Sequence, residues 1–221
     1  MSLAIVCPVI EERNRMLEQQ LLPLFKAKEV LDNPKTNLFS IDGSSFRLPS
    51  VEWGRDFEVT LLLDTQNPAS FRKFVRALPK RFASELSFWS EYVETLTKNF
   101  CRAFDVRYAK IRFSQISHDQ CSLFHTDYVT VRLFQTLQGP GTEYVLNEDT
   151  RRSGLGLGCN SKIVPDPSKV RNAREKDILL MRGEKWIEGN GLVHRSPPIE
   201  CLGFKRLCLC LDAIEESVQT Y

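Results

Sequence analysis

The chain has no apolar run approaching the roughly 20 residues needed to span a bilayer, so no membrane partner is expected. It lacks a surplus of either charge: 30 Lys and Arg stand against 28 Asp and Glu in 221 residues. A nucleic-acid binder more often concentrates basic residues in a stripe, so that class is not expected either. No CxxC pair occurs, and the seven cysteines (Cys7, Cys101, Cys121, Cys159, Cys201, Cys208 and Cys210) are odd in number. That argues against a disulfide framework and for small buried hydrophobes in a reducing compartment. The opening apolar run, Leu3 to Ile10, lacks a basic leader, is broken by Pro8 and then meets Glu11 and Glu12. It is therefore not read as an export signal, and a cytoplasmic location is expected. No repeat, low-complexity tract or linker divides the sequence, so residues 1–221 are expected to form one domain. With 42% hydrophobic residues, such a chain can bury its core without disulfides or oligomerisation. Nothing in the sequence fixes an oligomeric state.

The periodicities point to an α+β fold, with residues 1–105 mainly helical and residues 106–214 rich in strands. Pro8 suits the first turn of a helix continuing from Val9 to Leu21, and Pro23 restarts or kinks it. Asn67-Pro68 is an N-cap and N1 pair for a helix running to about Leu78. Phe82, Leu86, Trp89, Val93, Leu96 and Phe100 recur every three or four residues and line one helix face, as a helix packed on a sheet requires. Beyond Val106, Ala109, Ile111 and Phe113 alternate with polar residues. Further strands are expected in Leu123 to Leu137, Thr142 to Leu146 after the Gly139-Pro140-Gly141 turn, Asp177 to Met181, Gly191 to His194 and Phe204 to Asp212. The order predicts helices first, then an antiparallel β-sandwich or barrel.

Only three histidines occur, His118, His125 and His194. In His125-Thr126-Asp127 the imidazole and the carboxylate are two apart, and on a strand residues i and i+2 share a face. They can therefore be neighbouring ligands of one metal, with His194 as the third. Two histidines and a carboxylate on one side of an ion leave positions open for oxygen and substrate, the facial arrangement of non-haem Fe(II) oxygenases. The same donors also suit Zn(II), so a zinc protein acting in metal handling or hydrolysis is the alternative.

The order of these residues resembles the jelly-roll, 2-oxoglutarate-dependent oxygenases: His-x-Asp on an early strand, a distal His, and a basic residue following it. That resemblance implies a double-stranded β-helix (jelly-roll, cupin-like) core, Fe(II), 2-oxoglutarate as cosubstrate and Arg206 as the partner of its carboxylate. Many of those enzymes carry Arg-x-Ser on the last strand, where this chain has Arg206-Leu207-Cys208. The blocks Phe124 to Asp127, Val131 to Leu133, Gly139 to Glu143, Gly183 to Trp186, Gly191 to Pro198 and Arg206 to Asp212 are also similar to domain of unknown function family 1826. That family lacks an established reaction.

Several further residues are candidates. Arg132, five positions beyond Asp127, points away from a metal under strict alternation, although a bulge would reverse it and make it a substrate-binding candidate. Arg195 and Ser196 flank His194 and can orient it or touch substrate or cofactor. Cys121 lies four residues before His125, about 13 Å along a continuous strand, too far to share its ion unless the chain bends near Ser122. His118 is expected in a surface turn. Between Arg151 and Lys176 basic residues outnumber acidic ones, which suits either a solvated loop or a lid attracting an anionic small-molecule substrate.

Overall fold

The computed structural model describes residues 8–215, so Cys7 and most of the opening apolar run lie outside the described residues. Proline has no amide hydrogen and fits a first helical turn. Pro8 accordingly opens α1 (Pro8–Leu21), and Pro23 is the N-cap of α2 (Leu24–Asp32). After β1 (Leu38–Ile41) and β2 (Phe57–Asp64) comes α3 (Pro68–Ala77). Its first turn is capped by Asn67, whose side-chain oxygen accepts from the Ala69 amide at 3.0 Å. A 3-10 turn over Lys80–Glu85 leads into α4 (Leu86–Phe104). The remaining elements are β3 (Tyr108–Ile116), β4 (Val131–Gln138), β5 (Glu143–Val145), α5 (Asn160–Ile163), β6 (Arg171–Asn172), β7 (Ile178–Arg182), β8 (Val193–Arg195) and β9 (Arg206–Ile214).

Six strands form an open antiparallel sheet in the order β1-β7-β4-β9-β3-β2. The other three form a small sheet, β6-β5-β8. Strand alternation gives the large sheet two unlike faces. On one, Ile111, Phe113, Leu133, Ile178, Leu180, Leu207, Leu209 and Leu211 share a buried cluster with residues of α1 to α4, among them Leu21, Leu31, Phe74 and Trp89. Each such side chain contributes about 1.5–3 kcal/mol on burial. On the other, Phe134, Leu179 and Met181 meet Tyr144 and Leu192, so the small sheet lies against this face.

The expected helix stripe is present, with Trp89, Val93, Leu96 and Phe100 fully buried. Phe82 differs: it is buried in the 3-10 turn ahead of α4 rather than in the helix itself. The helical N-terminal part also contributes β1 and β2, the two edges of the large sheet. In β2, Val59 and Leu63 are buried while Glu58, Thr60 and Leu62 face solvent, an alternation obscured by the run Leu61-Leu62-Leu63. A second correction concerns Leu123 to Leu137. Only Val131 onward is strand, and His125 keeps a single isolated bridge, to His194. Among the described residues, no helix is long and apolar enough to cross a membrane.

Candidate metal centre

The backbones of His125 and His194 exchange both hydrogen bonds, each 3.0 Å long. Residues directly opposite in an antiparallel pair project to the same side, so this one bridge sets the two imidazoles together, with ring centroids 4.6 Å apart. Asp127, two residues on, joins them. One ligand atom from each of the three side chains lies within 4.8 Å of the others, forming a group able to hold a metal ion. The segment carrying Asp127 is held by another loop: the amides of Gly183, Glu184 and Lys185 donate to the carbonyls of Thr130, Asp127 and Val129 at 2.9, 2.9 and 3.1 Å. A Cβ on Gly183 would stand 1.9 Å from the Val129 oxygen, so only glycine permits this approach. The Gly183 to Trp186 block thus has a direct structural link to the site.

Both imidazoles are oriented in the same way. His125 Nδ1 lies 2.9 Å from the Leu123 carbonyl, and His194 Nδ1 lies 3.1 Å from that of Leu192. A carbonyl can only accept, so each Nδ1 donates a proton to it, and Nε2 is the ring nitrogen left to take up a proton or a metal. These Nε2 atoms face the carboxylate: His194 Nε2 is 3.2 Å from Asp127 Oδ2, and His125 Nε2 is 3.9 Å from Oδ1. A lone pair opposed to a carboxylate oxygen is unfavourable unless a cation, proton or metal, stands between them. Ligands of one ion, each about 2.0–2.2 Å from it, are separated by distances of this order. Burial and the neighbouring His194 both lower the His125 pKa, favouring the neutral form that can ligate. Burial opposes the charge on Asp127, but the contact with His194 and the fields of His194, Arg132 and His125 carry its pKa well below the usual carboxylate range.

Arg132 lies against this cluster. The chain bends through Tyr128–Thr130 before β4 begins, which breaks the alternation counted from Asp127. The Arg132 guanidinium donates from Nη1 to Asp127 Oδ2 and grips Asp212 with Nε at 2.6 Å and Nη2 at 2.9 Å. Burial works against its charge, yet the Asp212 hydrogen bonds, with Cys210 and both aspartates, hold its pKa above the ordinary arginine value.

Arg206 shares a face of β9 with Cys208, Cys210 and Asp212, as alternation predicts. It is 1% exposed. Nη2 donates to Thr136 Oγ1 and Thr142 Oγ1 at 3.1 and 3.0 Å, and Nη1 lies 3.4 Å from Ser196 Oγ. Its Nε has no partner, and among the described residues no carboxylate pairs with it. Gly139, with φ at +98°, brings this region together, since a Cβ there would meet the Lys205 carbonyl at 2.1 Å.

Arg195 is not brought into the cluster. One residue beyond His194, it falls on the other face of β8, where Nε pairs with Glu143 at 2.6 Å and the guanidinium covers Phe124. Cys121 is exposed and not part of the His-Asp-His group. His118 lies at the surface beside Asp56, 3.2 Å away. In the basic loop, Arg152, Lys169 and Arg174 are engaged by Glu184, Asp149 and Asp177. Asp212 meets Arg132, Thr136 and Thr142 meet Arg206, and nothing in the sequence singles these three out. Asp212 closes one of the resemblance blocks but carried no signal of its partner.

Comparison with solved structures first defines the fold. The structure of TqaL, an Fe(II)/α-ketoglutarate-dependent dioxygenase, is similar over 94% of this chain and 91% of its own, with a TM-score of 0.50 and 11% identity. A prolyl-4-hydroxylase from Pseudomonas putida (72% of this chain, 88% of its own, TM-score 0.36, 11% identity) matches more loosely. So does a cupin protein from Bacteroides fragilis (51% and 71%, TM-score 0.29, 11% identity). At 11% identity the TqaL likeness speaks for the fold alone, a mixed helix and antiparallel-sheet structure of the kind that dioxygenase has. No curated protein matches the chain. Residues 60–212 match DUF1826, described as a protein of unknown function, and the chain belongs to that family.

Proposed function

We propose that the protein is a non-haem Fe(II)-dependent oxygenase using O₂ and 2-oxoglutarate on a small-molecule substrate, with an anionic one favoured by the basic loop. The observation that carries this reading is the opposition of His194 Nε2 and Asp127 Oδ2 at 3.2 Å, with both Nδ1 atoms committed to backbone carbonyls. His125, Asp127 and His194 would hold the metal through two imidazole nitrogens and one carboxylate oxygen. Bound there, the metal would supply open positions for O₂ and for the 2-oxo acid end of the cosubstrate.

Arg206 would take the far carboxylate. A buried guanidinium without a counter-charge is costly, and a planar fork suits a bidentate carboxylate. Ser196 lies two residues beyond His194, about 7 Å along an extended chain, a span compatible with a five-carbon dicarboxylate reaching from the metal to Arg206. The hydroxyls of Thr136, Thr142 and Ser196 orient the guanidinium, a role that Cys208 on β9 does not fill. Arg132 orients Asp127, and Arg195 keeps the strand of His194 in register with β5. The likeness to a dioxygenase of this cofactor class supports the reading at the level of the fold.

The same donors suit Zn(II), and one experiment separates the alternatives. Protein loaded with Fe(II) without oxygen is titrated with 2-oxoglutarate while the visible metal-to-ligand band is followed. The band is expected to rise to one equivalent in the wild type and to be lost in Arg206→Ala. A flat wild-type titration, with Zn(II) retained against Fe(II), would instead favour the zinc protein.

A further inference from the structure

The Arg132 guanidinium joins two carboxylates that have different surroundings. Arg132 and Asp212 are directly opposed across β4 and β9, and both side chains are 12% exposed. Their two-point contact at 2.6 and 2.9 Å is therefore fixed by the sheet. Asp127 belongs to the irregular stretch before β4, where His125 forms the only β-bridge among the described residues from 121 to 130. The Glu184 amide holds the Asp127 carbonyl at 2.9 Å, but no sheet register fixes the direction of the carboxylate. Arg132 Nη1 reaches out of the sheet to Oδ2, the same oxygen that faces His194. Asp212 Oδ1 also receives the Cys210 thiol at 3.7 Å, so its position is set from two sides.

The charges impose a second requirement. A lone guanidinium touching a metal ligand would repel a divalent ion and draw electron density from the carboxylate. Asp212 cancels that charge locally, so the Arg132–Asp212 pair is neutral and Asp127 keeps its full negative charge for the ion.

We propose that Asp212 is a positioning residue of the metal site, acting only through Arg132. It holds the guanidinium that fixes the Asp127 carboxylate, and it neutralises that guanidinium toward the metal. The inference rests on the His125-Asp127-His194 reading and assigns its supporting shell.

The test is a double-mutant cycle on metal-free protein titrated with Mn(II), read by the loss of the free-ion electron paramagnetic resonance signal and by the line shape of the bound ion. Removing such a supporting partner typically weakens a metal site about 10–100-fold. Asp212→Asn is expected to raise the Mn(II) Kd by that factor and to change the bound-ion line shape. In an Arg132→Gln background the same substitution should change Kd by less than about twofold, because the route between the residues is gone. Asp212→Glu should restore part of the affinity. If Asp212→Asn does not fold, Arg132→Lys serves instead: a point charge cannot hold both carboxylates, and it too should weaken Mn(II) binding. Wild-type binding with unchanged Kd in Asp212→Asn, accompanied only by a lower Tm, would make the pair a structural cross-strand bridge and overturn the proposal. An equal loss in the Arg132→Gln background would also overturn it. Failure of the wild type to bind Mn(II), Fe(II) or Zn(II) would overturn the metal site itself, a distinct result.

Discussion

Leu209 and Cys210 are neighbours in one strand, yet they belong to different parts of the molecule. Leu207, Leu209 and Leu211 enter the cluster shared with the helices. Arg206, Cys208, Cys210 and Asp212 look the other way, where Arg206 and Asp212 meet Thr142 and Arg132. On the helix side, apolar side chains fill space, and burial does the stabilising. The small-sheet side carries the buried Arg206, Asp212 and His194 and the largely covered Arg132 and Asp127, polar groups that are expensive to remove from water. It tolerates them because Arg132 and Asp127 have partners and because Arg206, under the proposed function, is completed by a ligand. The period of two along a strand thus separates the source of stability from the candidate chemistry without separating them in sequence.

That comparison predicts opposite responses to substitution. The largest effect on stability is expected on the helix side. Leu209→Ala should cost about 2–5 kcal/mol, as for other fully buried leucines, and leave the metal Kd of the folded protein unchanged. Denaturant unfolding and Mn(II) titration check the two halves. A weaker metal site in that variant would show that the two faces are coupled. A smaller effect is expected across the strand. Arg206→Met should change stability by no more than about 1 kcal/mol, of either sign, since it removes a buried charge that lacks a counter-charge. It should nevertheless abolish 2-oxoglutarate binding by calorimetry. A large loss of stability with dicarboxylate binding intact would make Arg206 part of the scaffold.

Legibility followed the same division. The helices could be read from local signals: Asn67-Pro68 opens α3, and the Trp89, Val93, Leu96 and Phe100 stripe marks α4. The strands β3, β7 and β9 could be read from alternation and apolar runs, as could the opposite facings of Arg206 and Leu207. Edge strands were harder. β1 is four residues long, and the alternation in β2 is masked by consecutive leucines. At the site, His125, Asp127 and His194 stood out because histidine is scarce and the spacing of two is chemically meaningful. The direction of Arg132 was not legible, because it depends on a bend at Tyr128–Thr130. Its partner Asp212 was not legible either, since cross-strand register pairs residues far apart in the chain. Arg195 showed the limit of adjacency: one step along β8 from a candidate ligand turns a side chain to the opposite face.

The most direct measurement of the central claim is metal stoichiometry after anaerobic equilibration with Fe(II), taken on the wild type, His125→Ala and His194→Ala. The account predicts one ion per chain in the wild type and none held stoichiometrically by either variant. Far-ultraviolet circular dichroism should remain close to that of the wild type, because the large core lies on the other face. Equal metal content in all three proteins would contradict it.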